Sequence, residues 1–195
     1  MESALLLLGE AKIAALPALH ALSGCDTTGS FAGKGKTTWW KAFQEADKEI
    51  ITALANLGTS ENLAPDTIAA LEKFTCQLYV PNTFVSSVKE LRWLLFRKKQ
   101  AQSKRLPPTK AALHETLKRA NYRAMIWLND IEPNPLLPSP ENFGWKLENN
   151  EWIPVMTTLL PAPSAIMHLV KCGCMKDSLL LYQQMPVPKG RTWLH

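Results

Sequence analysis

The residues best suited to chemistry lie between Gly24 and Trp40. Gly35-Lys36-Thr37 ends the pattern G-x-x-x-x-G-K-[ST], in which backbone N–H groups and a lysine cradle nucleotide phosphates. The first glycine of that pattern falls at position 30, where Ser30 stands, and Gly29 is one residue too early. The pattern also needs a buried strand before it and alternating strands after it. Leu16 to Leu22 reads as helix instead, and further helices follow. A P-loop nucleotide binder is therefore the least supported of three readings.

The elements that must position these residues are mostly helical. Pro17 is expected in a first helical turn with Leu19 and Leu22 on the buried face. Ser23 to Ser30 is turn-rich and ends that helix. A second helix starts near Lys36 and carries Trp39, Trp40 and Phe43. Ile50, Ile51, Leu54 and Leu57 recur at helical spacing until Gly58. Asp66 is expected as an N-cap ahead of Ile68, Leu71, Phe74 and Leu78. Val88, Leu91, Leu94 and Leu95 form another stripe. Thr109 caps the longest helix, with Leu113, Leu117, Ala120, Ala124, Trp127 and Leu128 inward. Pro133 to Pro140 is an extended loop. Phe143 to Leu147 and Trp152 to Val155 then flank the turn tetrad Glu148-Asn149-Asn150-Glu151, with Trp145 and Trp152 expected to pair across the hairpin. A short helix with Ile166, Leu169 and Val170 follows Pro163.

The expected fold is mainly α, with a helical hairpin, further helices and one small C-terminal β-hairpin. Its regions are 1–100 (helical), 101–108 (a basic linker ending in proline), 109–174 (long helix, loop, β-hairpin, short helix) and 175–195 (irregular tail).

Charge is uneven. The net value of +5 hides a basic segment, Lys89 to Arg123, followed by an acidic one, Asp130 to Glu151. That asymmetry suits an anionic partner on one face, or a solvated helix surface. Lys118, Arg119, Tyr122 and Arg123 are expected opposite the apolar stripe of the long helix. Arg97, Lys98, Lys99, Lys104 and Arg105 form a second basic cluster. Phosphate contact by either is electrostatic and blind to sequence. Trp39, Trp40, Trp93 and Trp127 offer rings for base stacking, but fall on apolar helix faces and read mostly as core. His20 and His114 read as packing or surface residues. Cys25 and Cys76 are isolated, and Cys172 and Cys174 make only half of a zinc site. Glu2 in place of a basic leader, and no apolar run of ~20 residues, point to an intracellular chain, with a nuclear site open to it, that is neither secreted nor membrane-spanning.

The ordered set Gly24, Cys25, Asp26, Ser30, Gly33, Gly35, between one helix and a helix opened by lysines, resembles the flap endonuclease group of PIN-like 5′ nucleases. The resemblance implies a helix–three-turn–helix whose Gly-x-Gly turn contacts DNA phosphate through backbone amides. It implies phosphate contacts at Gly33, Lys34, Gly35 and Lys36, a magnesium-binding carboxylate at Asp26, and a serine, Ser30, that helps hold a potassium ion. Thr37 departs from the usual basic residue, and Lys36 replaces a proline. Lys118, Arg119 and Arg123 are additional candidate contacts.

Hydrolysis by this group uses two metal ions held by several acids on strands preceding the motif. Only Glu2 and Glu10 precede Gly24 here. The catalytic acidic cluster is thus incomplete, no cofactor is certain, and magnesium is expected only with an N-terminal core that this chain lacks. The expectation is a truncated, non-catalytic relative that binds duplex DNA backbone without sequence preference.

A second resemblance spans most of Leu16 to Cys174. Leu106-Pro107-Pro108-Thr109, Arg119-Ala120-Asn121-Tyr122, Ile126-Trp127, Gly144-Trp145-Lys146 and Lys171-Cys172-Gly173-Cys174 are similar to mobile-element-like animal proteins with no proven activity. It leaves open a protein-interaction or scaffold module that binds other protein chains.

Overall fold

The computed structural model describes residues 9–98 and 106–159. Six α-helices and one two-stranded antiparallel hairpin are present among them. The helices are α1 (Glu10–Leu22), α2 (Lys36–Glu45), α3 (Lys48–Ala55), α4 (Pro65–Tyr79), α5 (Val88–Arg97) and α6 (Lys110–Leu128). A 3-10 turn, Pro140–Phe143, leads into β1 (Trp145–Glu148) and β2 (Glu151–Pro154). No helix among the described residues is long and apolar enough to cross a membrane.

α1 packs on α3 and α6, α3 packs on α4, and α4 also touches α2 and α5. The shared core is built from Leu22, Trp39, Phe43, Ile50, Leu54, Leu71, Phe74, Leu113 and Leu117, all fully buried. Trp39 lies edge-on to Phe74 and tilted against Phe31, with ring centroids 5.5 and 5.4 Å apart. Such aromatic pairs add stability beyond the area they bury.

Caps are supplied locally and at a distance. Thr109 accepts from Ala112 N at 3.2 Å, as expected, and Asp47 accepts from Ile50 N to start α3. No side chain of α5 caps its own start. The buried carboxylate of Glu72, on α4, accepts from Val88 N at 3.0 Å and pairs with Lys110 at 3.2 Å. This ties α4, α5 and the start of α6 together.

α6 is approached closely by two glycines. Gly58 has φ +89°, and a Cβ there would sit 2.7 Å from Ala124 C and Met125 N. Its N–H donates to Asn121 Oδ1 at 2.7 Å, and Asn121 Nδ2 donates to Ser60 O at 2.8 Å. Gly144 has φ +78°, and a Cβ there would meet Glu115 O at 2.8 Å.

Several local expectations are corrected. Pro17 lies inside α1, which begins at Glu10 after Gly9, and not in its first turn. Pro65 occupies the first turn of α4 and Ala64 is the N-cap, so Asp66 sits within that turn and does not cap it. Pro65 suits the position because its missing N–H would have no helical partner there. The hairpin turn is the pair Asn149-Asn150, with φ +51° and +66°. Two left-handed residues make the turn that matches strand twist, and asparagine tolerates it. That fixes the register so that Leu147 faces Trp152 and Trp145 faces Pro154. Trp145 and Trp152 share a face diagonally and are not directly opposed. Phe143 lies in the 3-10 turn, outside β1. Leu128 is 49% exposed and not inward. The short helix expected after Pro163, the tail, and most of the basic linker lie outside the described residues.

Replacing Gly58 with alanine is expected to cost about 2–4 kcal/mol, because positive φ and a backbone clash act together. Urea unfolding of Gly58→Ala checks this. A loss under about 0.5 kcal/mol would show that the loop does not press on α6 as described.

Candidate functional site

The α1–α2 hairpin is stapled at both ends by lysines. Lys12, near the start of α1, donates to Gln44 O at the end of α2, at 2.9 Å. Lys36, the first residue of α2, reaches back to the end of α1. Its Nζ donates to Gly24 O at 2.7 Å and to Ser23 Oγ at 3.2 Å, and it lies 3.0 Å from His20 Nδ1. Helix carbonyl ends carry partial negative charge, so a cation there is favourable.

The carbonyls of His20 and Ala21, in the last turn of α1, are satisfied locally. Ser23 Oγ donates to His20 O, and Gly24 N and Thr28 Oγ1 donate to Ala21 O. Gly24 must be glycine: its φ is +98° and a Cβ would meet Ser30 Cβ at 2.8 Å. Phe31 anchors the loop in the core, and Lys34 N donates to Phe31 O at 2.9 Å to close a β-turn. Gly33, third in that turn, has φ +72°, the conformation that favours glycine.

Gly35 differs. Its φ is −79° and ψ 171°, which any residue adopts, and a Cβ there would meet nothing within 4 Å. It caps α2 without a side-chain partner, and the first turn of α2 contains no acid. The start of α2 is therefore an open, positively polarised helix end.

The expected site residues fall into distinct settings. Asp26 and Ser30 are exposed, and Asp26 is the only carboxylate of the loop. Among the described residues no group of three or more His, Cys, Asp or Glu side chains is placed to hold a metal ion. Asp26 and Ser30 thus have no carboxylate partners for a two-metal centre within the described residues. Lys34 lies over the Tyr79 ring at 4.7 Å, and burial lowers its pKa. Lys36 is engaged with α1, as described.

Arg119 is corrected outright. It is 5% exposed, and its guanidinium donates to Val155 O at 2.5 Å, Gly144 O at 3.3 Å and Thr116 Oγ1 at 3.2 Å. It fastens the β-hairpin to α6 and does not stand free on a solvated helix face. The helix face that reads as polar is covered there by residues some thirty positions downstream. Tyr122 on the same helix donates to Pro138 O at 3.1 Å and holds the proline-rich loop. Lys118 pairs with Glu115 at 2.8 Å. Arg97 and Lys98 are exposed at the end of α5, while Lys99, Lys104 and Arg105 lie outside the described residues.

Arg123 does reach the hairpin. Its Nε donates to Thr27 Oγ1 at 2.9 Å and its guanidinium lies over the Trp127 ring at 5.5 Å. Trp127 also packs on His20, with ring centroids 5.2 Å apart. Lys36, His20, Trp127, Arg123 and Thr27 thus form one continuous chain of contacts from the hairpin to α6. The Arg123–Trp127 spacing of four residues signals such a pair in the sequence. His20 carries no comparable signal, because its partner Lys36 is distant along the chain. Burial lowers the His20 pKa, Lys36 lowers it further, and Asp26 acts the other way. Among the tryptophans, Trp39 is core, Trp127 half-buried, and Trp40 and Trp93 exposed.

Cys25 opens the loop with Sγ 3.1 Å from Thr28 Oγ1. Burial opposes its ionisation, but hydrogen bonds from Thr28 and Thr27 outweigh that and hold the thiol below its ordinary value. Burial pushes Cys76 up to about 12, with Glu72 and Glu90 adding to it. Cys25 is therefore expected to alkylate at least about tenfold faster than Cys76 in the folded protein, with Cys76 reacting after unfolding. Peptide mass spectrometry over a time course measures this, and equal native rates would contradict it.

Compared with known proteins, the chain matches no family model, no curated protein and no solved structure.

Proposed function

We propose that the α1–α2 hairpin binds the phosphate backbone of duplex DNA, without sequence preference and without cutting it. The observation that carries this is the open start of α2: Gly33 and Gly35 leave it uncovered, no side chain caps it, and no acid stands in its first turn. Such an end attracts an anion through its N–H groups and its dipole. Lys36 strengthens the effect indirectly. By sitting on Gly24 O it offsets the negative end of α1 that lies beside the site. The resemblance to 5′ nucleases supplies the choice of duplex DNA among phosphate-bearing ligands. Asp26 alone does not organise two-metal hydrolysis, which needs several carboxylates, so the reading is one of binding.

The test is affinity for a mixed-sequence duplex across salt concentrations. Weak binding that falls steeply with salt and ignores sequence is expected. Gly35→Ala is the informative variant, because the fold makes no demand for glycine there. It should cost at most about 1 kcal/mol of stability as a poorer N-cap while lowering duplex affinity by about tenfold. Absence of binding at low salt, or an affinity that salt does not change, overturns the reading.

A partner-protein reading is favoured by one observation. Trp93 and Phe96 stack on each other on α5 and are 59% and 62% exposed. In that reading, Gly35→Ala leaves partner binding intact. For a nucleotide site, α1 stands where a buried strand is required, and Lys36 is turned toward α1.

A further inference from the structure

We infer that His20 is a proton-linked member of the phosphate site, and that its protonation frees Lys36 to face the bound anion. This rests on the phosphate reading of the hairpin and specifies its regulation.

The geometry gives the reason. Lys36 Nζ has only protons to offer, so at 3.0 Å from His20 Nδ1 it requires that nitrogen to be an acceptor. His20 is therefore neutral in this arrangement, with its proton on Nε2. Protonation places a second cation at hydrogen-bond distance and removes the acceptor. Lys36 then keeps only Gly24 O at 2.7 Å and Ser23 Oγ at 3.2 Å, with a like charge now beside it. Lys36 directly follows Gly35, so its freed side chain swings beside the open start of α2. The imidazolium stays at the end of α1, where it takes over from Lys36 the offset of that helix's negative end. The Lys36 ammonium is then the additional positive group where the phosphate binds.

The surroundings of His20 are defined. Lys36 faces it from α2, Asp26 from the loop, and Trp127 from α6 with Arg123 stacked over that ring. Asp26 is the acidic member, and it favours the imidazolium. In the free protein, burial and Lys36 prevail and the pKa lies below 6.5. The sign follows. A phosphate near the ring raises that pKa, so binding takes up a proton and tightens as pH falls. Without ligand, the depressed pKa means that stability from neutral His20 is present above 6.5 and is lost as pH falls through the lowered value.

Two measurements test this. In the free protein, imidazole NMR follows His20 in wild type and in Lys36→Met. The His20 pKa should rise in the variant, and an unchanged titration overturns the coupling. Duplex affinity is then measured from pH 8 to pH 6 at fixed salt, in wild type and in His20→Gln. Wild type should tighten about fivefold, with a matching proton uptake, and the variant should give a flat profile. Binding that is independent of pH in wild type, or equally pH-dependent in His20→Gln, overturns the inference and leaves the phosphate reading standing. Absence of duplex binding at every pH, with the Lys36→Met shift still present, overturns the phosphate reading while supporting the His20–Lys36 coupling.

Discussion

The fold depends on how closely two loops approach the backbone of α6. Gly58 lies over Ala124 and Met125, and Gly144 lies over Glu115, each at a separation that excludes a side chain. Both carry positive φ, so each turn is available to glycine at little strain. The first contact brings the α3–α4 connection onto α6, where Asn121 satisfies Gly58 N and Ser60 O. The second brings in the β-hairpin, where Arg119 satisfies Gly144 O and Val155 O. A buried amide or guanidinium is costly unless its hydrogen bonds are made. The close approaches and the buried polar groups therefore require each other. Without the glycines, Asn121 and Arg119 stay wet. Without Asn121 the buried Gly58 N–H loses its partner, and without Arg119 Val155 O loses its own.

This arrangement explains what was legible in the sequence. Helix periodicity located every described helix and the inward positions of Leu113, Leu117, Ala120 and Ala124, because burial of an apolar stripe follows from spacing alone. Thr109 declared its cap, and Lys36 the start of α2. The inward use of the other face of α6 was not legible. Arg119 looks like a surface residue unless one knows that Val155 returns to cover it, and nothing local encodes that. The same holds for Glu72, which caps a helix sixteen residues away. Asp66 and Pro17 went astray for a different reason. Each is a good local signal, but Pro65 takes the first turn of α4, and α1 continues N-terminally to Glu10, which leaves Pro17 in its interior.

The candidate site was legible as a pattern of glycines and much less so as a disposition of charges. Gly24 and Gly33 occupy the conformations that their residue type suggests. The lysines beside them read as two free cations, and neither is free: Lys34 covers Tyr79 and Lys36 closes the end of α1. Charge counting from sequence therefore overstates the field available to a ligand from side chains. It understates the contribution of the backbone, since the uncapped start of α2 keeps its full polarity.

The antiparallel geometry of α1 and α2 adds a constraint on any anion that binds there. The end of α1 and the start of α2 lie side by side, which puts a negatively polarised helix end next to a positively polarised one. Left alone, the two would largely cancel at short range. Lys36 breaks the symmetry by placing a full charge on the carbonyl side, while no acid does the same on the amide side. At the opposite end of the pair, Lys12 covers the carbonyl end of α2 in the same way. Both carbonyl ends of the hairpin are thus closed by lysine, and the amide end of α2 is left open. A hairpin built only to pack would gain a few tenths of a kcal/mol by capping that amide end with Ser, Asp or Asn. Gly35 forgoes that gain at a position where its backbone fits any residue. The polarity of the open end is accordingly directed outward, toward whatever meets Gly33 and Gly35 from solvent.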